Sequence, residues 1–253
     1  MRGIITVALL SIGCRSFAQA QRIADHNTIS WWSNTTVIKL SNKWSTHLEY
    51  QWRRANTVAD WQQGLLRTGI MYQLTDRVQL RVGYAYVETF PYGDYPLQAA
   101  GKMFPEHRLY EMVTLNDKIN HVSIIHRFVL EQRWVGRFSN PSLDKADTHT
   151  YVNRIRYMLR LQRALGRKEI IDKTIYAAAY DELFTGFGNN MGENIFDQNR
   201  LGLMIGYRFS PAVRIEGGYL NQIVQLGREI NGNNVFQHNS GFIFNTYFNF
   251  GKK

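Results

Sequence analysis

The sequence predicts an all-β fold, namely a transmembrane antiparallel up-and-down β-barrel of about twelve strands, with ten strands as the alternative. Apolar and polar side chains alternate with period two along most of the 253-residue chain, which is the pattern of half-buried β-strands. The alternating runs are ~10–13 residues long, enough for a tilted membrane crossing, whereas strands of soluble proteins average ~5–6 residues. Short turns alternate with longer loops, as in outer-membrane barrels.

The first twenty residues, "MRGIITVALLSIGCRSFAQA", are expected to be a cleaved signal peptide, which leaves residues 21–253 as the barrel domain. Their apolar stretch is too short to span a membrane, and Ala18-Gln19-Ala20 fits the small-residue cleavage rule. The single cysteine, Cys14, lies in this segment, and the sequence leaves its lipidation open. Without this segment no cysteine remains, which excludes disulfides and thiolate metal sites.

The chain is basic and rich in aromatic residues. Two of its 30 Lys and Arg residues and none of its 20 Asp and Glu residues lie in the expected signal peptide, so the exported part carries 28 basic against 20 acidic side chains. A basic balance favours nucleic acid, an anionic membrane surface or acidic ligands as partners. Because we expect export, we expect no nucleic-acid partner, and lipid or small anionic solutes are left.

Eight runs of the chain alternate clearly. The first is "WSTHLEYQWRR" at 44–54, and the others are 65–74, 78–86, 121–136, 151–162, 200–207, 213–219 and 241–250. Weaker runs near 27–40, 106–116 and 173–182 bring the count to eleven, although 106–116 has no clean apolar face. A barrel with both ends on one side of the membrane needs an even number of strands, so we expect a further strand before Trp44.

The connections between these runs also alternate. Short ones are predicted near 41–43, 75–77, 117–120, 165–172 and 209–212. Longer ones, which carry most of the Gly, Asn, Pro and Asp, are predicted at 54–61, 91–105, 137–148, 183–196 and 227–235. Short turns at one end and long loops at the other favour an outer-membrane barrel over a secreted soluble β-protein, the alternative that the alternation also allows.

One face of the predicted strands is apolar and carries aromatic residues near the strand ends, as the interfacial girdles of membrane barrels do. The predicted membrane-interface aromatics are Trp44, Trp52, Tyr86, Trp134, Tyr151, Tyr207 and Tyr219.

The other face is too polar for a packed core and is expected to line the lumen. Its basic ladder consists of Arg53, Arg67, Arg81, Arg127, Arg133, Arg154, Arg156, Arg160, Arg200 and Arg214. The acidic partners expected for the ladder are Glu49, Glu131 and Glu216. Either these groups form a salt-bridge network that plugs a narrow barrel, or the surplus arginines attract anions into a pore or pocket.

Other motifs carry little chemistry. His238 and Ser240 have a spacing found in some outer-membrane lipid hydrolases, but no third group orients the histidine, so a hydrolase is only a remote alternative. Asp181 and Glu182 point to opposite faces of a strand, and the loop at 183–196 fits no calcium motif. We expect no catalytic residue, no metal site and no cofactor.

Several segments together resemble a known family. They are "LSNKWSTHLEYQWRR" at 40–54, "HRFVLEQRW" at 126–134, "NRIRYMLRL" at 153–161, "YDELF" at 180–184 and "FDQNRLGLMIGYRFSP" at 196–211. In order and spacing, over roughly 27–250, they resemble DUF2490, a family of uncharacterised barrels of the Gram-negative outer membrane. The resemblance implies location and fold but no activity.

The sequence therefore predicts a non-enzymatic outer-membrane barrel with an arginine-lined interior. It is expected to be a narrow, porin-like pore or binding site for small anionic solutes, or a structural component of the envelope. A partner-binding subunit of an outer-membrane complex is the alternative. The sequence leaves open whether the lumen is free or filled.

Overall fold

The computed structural model describes residues 22–191 and 195–251, and it is a closed all-β barrel. Its eleven strands are β1 (Ile23–Lys39), β2 (Trp44–Ala55), β3 (Asp60–Gln73), β4 (Val78–Thr89), β5 (Phe104–Ile119), β6 (Val122–Arg137), β7 (Thr148–Ala164), β8 (Thr174–Phe187), β9 (Phe196–Arg208), β10 (Val213–Ile230) and β11 (Asn233–Phe250). The signal peptide expected over 1–20 lies outside the described residues, as does Cys14.

The strand count corrects the predicted twelve, and also the alternative of ten. Neighbouring strands in the chain pair antiparallel, but β1 and β11 close the barrel as a parallel pair, in register from Ile23 opposite Val235 to Ile38 opposite Phe250. The even-number expectation holds only where the first and last strands are antiparallel. A parallel seam lets an odd number of strands satisfy every strand edge.

The strands are strongly tilted relative to the barrel axis. Starting at Lys39 and following paired residues from strand to strand once around the barrel leads back to β1 at Asp25, fourteen residues earlier. A register offset of this size around a closed sheet means that the strands are tilted relative to the barrel axis. A tilted strand needs more residues than an upright strand to span the same barrel height. This explains the strand lengths of 12 to 18 residues.

The two ends of the barrel differ in their connections. One end, hereafter the short-turn end, has the connections 40–43, 74–77, 120–121, 165–173 and 209–212. The other, the long-loop end, has 56–59, 90–103, 138–147, 188–195 and 231–232. The predicted long loop at 227–235 is wrong, because β10 and β11 extend into a two-residue hairpin. Asn231 and Gly232 form it with φ of 51° and 73°, as a tight type I′ turn requires.

The outer face is apolar over most of its height. Large side chains that are exposed there include Leu48, Leu66, Ile70, Val82, Leu109, Leu130, Ile155, Leu183, Leu203, Ile205 and Phe242. No helix among residues 22–191 and 195–251 is long and apolar enough to cross a membrane.

Aromatic residues lie on the outer face near both ends. At the short-turn end, the Trp44 ring lies 4.7 Å from Tyr72, and Tyr207 lies 4.5 Å from Phe209. At the long-loop end, the pairs include Trp52 with Trp32 at 5.0 Å, Tyr86 with His107 at 5.3 Å and Trp134 with Tyr151 at 5.2 Å.

Tyr219 departs from this arrangement and corrects the prediction that it lies at an end. It is exposed on the outer face, but in the sheet register it lies opposite Leu203 and Phe242, away from either end of β10.

Apolar side chains fill part of the barrel interior. An apolar cluster on the inner face of β1 and β8–β11 contains Ile29, Trp31, Tyr176, Ala178, Met204, Leu220 and Ile243. Inward glycines make room for tyrosines of adjacent strands, since a Cβ at Gly83 would lie 2.5 Å from the Tyr110 hydroxyl oxygen. The rest of the interior is lined by the charged side chains that are described below.

Candidate functional site

The lumen contains two cavities, stacked along the barrel axis. The long-loop cavity has a volume of about 440 Å³ and the short-turn cavity about 300 Å³. All ten arginines of the predicted ladder line one cavity or both. Alternation explains this placement, because every second side chain of a strand points inward.

In the long-loop half, buried carboxylates lie between the arginines. Glu106 accepts from Arg108 at 2.6 Å and from Arg133 at 2.5 Å. Glu131 lies between Arg154, at 2.5 Å, and Arg156, at 2.6 Å.

Asp197 completes this network. Its carboxylate accepts a hydrogen bond from Arg154 at 2.6 Å, so that Arg154 contacts two acids. Glu106 and Glu131 are only 2% and 1% exposed. Buried charges this closely matched form a structural network rather than a vacant binding site.

The short-turn cavity is lined by eight arginines and two carboxylates. The arginines are Arg53, Arg67, Arg81, Arg127, Arg156, Arg160, Arg200 and Arg214. The two carboxylates are Glu49 and Glu182.

Each short-turn carboxylate has a defined partner. Glu182 contacts Arg156 at 2.7 Å and Arg127 at 2.9 Å, and Glu49 contacts Arg67 at 3.3 Å. A further acid, Glu216, pairs with Arg160 and accepts from the Tyr176 hydroxyl at 2.7 Å.

Pairing in the short-turn half remains incomplete. Among the described residues, neither Arg53 nor Arg81 has a carboxylate within 4.0 Å. Arg200 is 3.9 Å from Glu182, and Arg214 is 4.0 Å from Glu216. Four buried Nε atoms lack any hydrogen-bond partner in the described part of the chain, those of Arg67, Arg81, Arg127 and Arg200. Like charges this close repel one another unless an anion lies between them.

A tryptophan and two arginines separate the cavities. Trp31, Arg53 and Arg200 line both of them. The guanidinium carbon of Arg53 lies 3.9 Å from the centre of the Trp31 ring and that of Arg200 lies 4.9 Å from it. The indole also donates to Gln62 at 2.6 Å. Cation–π contacts and this hydrogen bond hold a barrier across the lumen.

The connection 90–103 covers the mouth of the barrel at the long-loop end. The Tyr92 hydroxyl donates to Gln237 of β11 at 2.8 Å, Arg228 of β10 donates to the Pro96 carbonyl at 2.8 Å, and Gln98 donates to a β6 carbonyl at 2.8 Å. Burial raises the pKa of the Tyr92 phenol above its usual value. The connection is thus fixed to strands on several sides of the barrel, as a lid.

Sequence reasoning placed the predicted acids in the interior but missed three acids and one arginine of the network. Glu49, Glu131 and Glu216 are all buried. The missed partners are Glu106, Arg108, Glu182 and Asp197. The inward position of Glu182, opposite to that of Asp181, was the one signal that could have identified a further acid.

The remaining motifs do not assemble a catalytic centre in the described residues. His238 lies on the outer face, stacked on His26 with 5.1 Å between the rings. The Ser240 hydroxyl contacts the Asn221 amide at 2.9 Å and the Tyr219 hydroxyl at 3.2 Å, and it has no contact with His238. No group of three or more His, Cys, Asp or Glu side chains suited to a metal occurs in residues 22–191 and 195–251.

A row of polar side chains crosses the outer face from β8 to β1. Asn199 donates to Asp181 at 2.7 Å, Asn221 donates to Ser240, and Ser240 lies opposite Thr28 across the parallel seam. The polar row interrupts the apolar surface, as Glu111 and Gln132 do on β5 and β6.

One family model matches the chain. It covers residues 28–233 and is described as "Protein of unknown function (DUF2490)". No curated protein matches the chain. No solved structure matches it either.

Proposed function

The chain belongs to DUF2490, a family of unknown function, and we propose that it is a barrel of the Gram-negative outer membrane that binds small anionic solutes in its lumen. Export of the protein is supported by the signal peptide that the sequence predicts. The membrane location is supported by the exposed apolar belt and by the aromatic residues near both ends.

The observation that carries anion binding is the surplus of positive charge inside the barrel. Eight arginines surround the short-turn cavity, and two of them, Arg53 and Arg81, have no carboxylate partner among the described residues. Removing charge from water is costly unless an opposite charge compensates it. An anion supplied by solution provides this compensation.

Binding is favoured over open conduction. The Trp31–Arg53–Arg200 barrier divides the lumen, and the connection 90–103 covers one mouth. Anion conduction requires a continuous path.

Planar-bilayer recordings of the purified protein under a salt gradient test this proposal. The native protein is expected to show no through-conductance, and Trp31→Ala is expected to open an anion-preferring path. Phe242→Ala, an aromatic truncation on the outer face, is the control. A cation-preferring current through the Trp31→Ala variant contradicts an anion-binding lumen. Fractionation of cell membranes tests the location, and recovery of the protein outside the outer membrane contradicts it.

A second candidate function rests on the polar row of the outer face. Hydrogen-bonding side chains exposed to lipid favour contact with another protein, because lipid offers them no partners. A partner-binding subunit of an envelope complex fits this row. We expect a partner protein to co-purify with the barrel in mild detergent. Asn221→Leu should reduce this co-purification, and Leu66→Ala should leave it unchanged. Recovery of a lone monomer contradicts the partner-binding function.

A further inference from the structure

The two halves of the lumen differ in charge balance, and this difference identifies which cavity takes a ligand. In the long-loop half, Arg108, Arg133 and Arg154 each contact Glu106, Glu131 or Asp197 at 2.6 Å or less. Arg137 and Arg228 also line that cavity without a carboxylate within 4.0 Å among the described residues, but Arg137 is exposed and Arg228 donates to the Pro96 carbonyl. In the short-turn half, Arg53 and Arg81 are unmatched, and Arg200 and Arg214 only reach carboxylates at 3.9 and 4.0 Å.

Building on the proposed function, we propose that the short-turn cavity binds a small oxyanion carrying at least two negative charges, of the pyrophosphate or polycarboxylate type, which enters from the short-turn end.

The charge of the ligand follows from the lining. Six of the eight arginines of this cavity contact a carboxylate, and the carboxylates are four in the described residues: Glu49, Glu131, Glu182 and Glu216. Glu131 is also shared with Arg154 of the other half. An excess of about four positive charges is too large for a monovalent anion to balance, whereas a multivalent oxyanion offers several acceptors to planar guanidinium groups.

The donors available to the ligand are the unsatisfied ones. Arg81 and Arg200 each have a buried Nε without a hydrogen-bond partner in the described part of the chain, and so do Arg67 and Arg127. These four side chains come from β4, β9, β3 and β6, so they approach the cavity from different sides. Donors that converge from several strands enclose an anion, as charged rings in channels do.

The size of the ligand follows from the volume. The cavity of about 300 Å³ accepts a compact anion and excludes a polymer. It is smaller than most sites for drug-sized ligands, which begin at ~300 Å³ and extend to ~1,000 Å³.

The direction of entry follows from the exposure of the arginines. Arg127 and Arg214 have side chains 28% and 34% exposed, whereas Arg108 and Arg154 of the long-loop half are 8% and 3% exposed. The Trp31 barrier and the fixed connection 90–103 close the opposite route. In outer-membrane barrels the short turns face the periplasm, so the ligand is expected to come from that side.

Isothermal titration calorimetry of the full barrel in detergent, at constant ionic strength, tests the ligand class with pyrophosphate, inorganic phosphate and acetate. Pyrophosphate is expected to bind at least tenfold more tightly than acetate. Arg81→Gln is expected to weaken pyrophosphate binding about tenfold or more, because it removes a charge-assisted donor. Arg81→Lys keeps the charge, so its pyrophosphate affinity is expected to fall less than that of Arg81→Gln. Arg77→Gln, on the exposed short turn at the same end, is the matched control.

Three outcomes separate this inference from the proposed function. If acetate binds as tightly as pyrophosphate, a multivalent ligand is excluded while an anion-binding lumen stands. If Arg81→Gln and Arg77→Gln weaken binding equally, attraction is by general charge and the short-turn site is wrong. If no anion binds to the folded barrel, both proposals fall. Circular dichroism of each variant verifies that it is folded.

Cysteine labelling tests the route. A bulky maleimide on Gln79→Cys, at the short-turn mouth of the cavity, is expected to block pyrophosphate binding. The same label on Ala99→Cys, in the connection that covers the other mouth, is expected to leave it unchanged. Blockage by the second label alone overturns the assigned direction of entry.

Discussion

The lumen of this barrel has two halves built from the same kinds of residue but with different pairing of the arginines with acids. In the long-loop half, Glu106 and Glu131 each lie between two arginines. Arg156 joins this network to the short-turn half, because it also contacts Glu182. In the short-turn half, Arg81 has no acid partner in the described residues, and Arg214 has only a distant one. Repetition of arginine along a strand therefore does not by itself mark a binding site; the number and position of the carboxylates decide.

The largest effect is expected from removing a carboxylate of the matched half. Glu131→Gln leaves Arg154 and Arg156 buried beside each other without their shared acid, and should lower the free energy of unfolding by ~3–5 kcal/mol. Urea unfolding followed by tryptophan fluorescence measures it. Glu169→Gln, in an exposed turn, should give no measurable change. A loss below ~1 kcal/mol at Glu131 would mean that the halves do not differ in the way described.

The same substitution made in each half sharpens the comparison. Arg154→Gln breaks contacts with Glu131 and Asp197 and should cost ~3–5 kcal/mol. Arg81→Gln removes an unmatched cation and should change the free energy of unfolding by less than ~1 kcal/mol, or increase it, because repulsion is relieved. Equal losses at both positions would show that Arg81 is already compensated within the protein.

The smallest effect concerns the outer face, where the two ends should behave alike. Trp44 at the short-turn end pairs with Tyr72, and Trp134 at the long-loop end pairs with Tyr151. Trp44→Ala and Trp134→Ala should each lower the free energy of unfolding by at least the ~0.5–1.5 kcal/mol that an aromatic pair contributes. The two losses should be similar. Unfolding in lipid vesicles measures both. A large difference between them would extend the asymmetry of the lumen to the outer face of the barrel.

Much of the strand pattern was accessible from sequence because each inner or outer position imposes its own chemistry. Runs such as 78–86 alternate strictly, since Arg81 and Gly83 face the lumen while Val82 and Tyr84 face outward. The 106–116 run hid its orientation because its outer face carries His107 and Glu111, which are as polar as the inward Glu106 and Arg108.

Other features depend on contacts that a sequence pattern does not encode. The parallel seam pairs residues that are far apart in the chain, such as Ile23 and Val235. Local alternation therefore does not reveal an odd number of strands. The pairing of Arg133 with Glu106 rather than with a predicted acid depends on strand register. The barrier at Trp31 and the fixed connection 90–103 likewise arise only from the closed barrel.

Diffraction at the tungsten absorption edge, from crystals of the barrel soaked in tungstate, tests the central claim most directly. Tungstate is a divalent oxyanion whose anomalous signal locates it without prior assumptions. The expected result is a peak in the short-turn cavity, within hydrogen-bonding distance of Arg81, and its loss in Arg81→Gln crystals. A peak confined to the long-loop cavity beside Arg108 and Arg133, or no peak inside the barrel, would contradict the account.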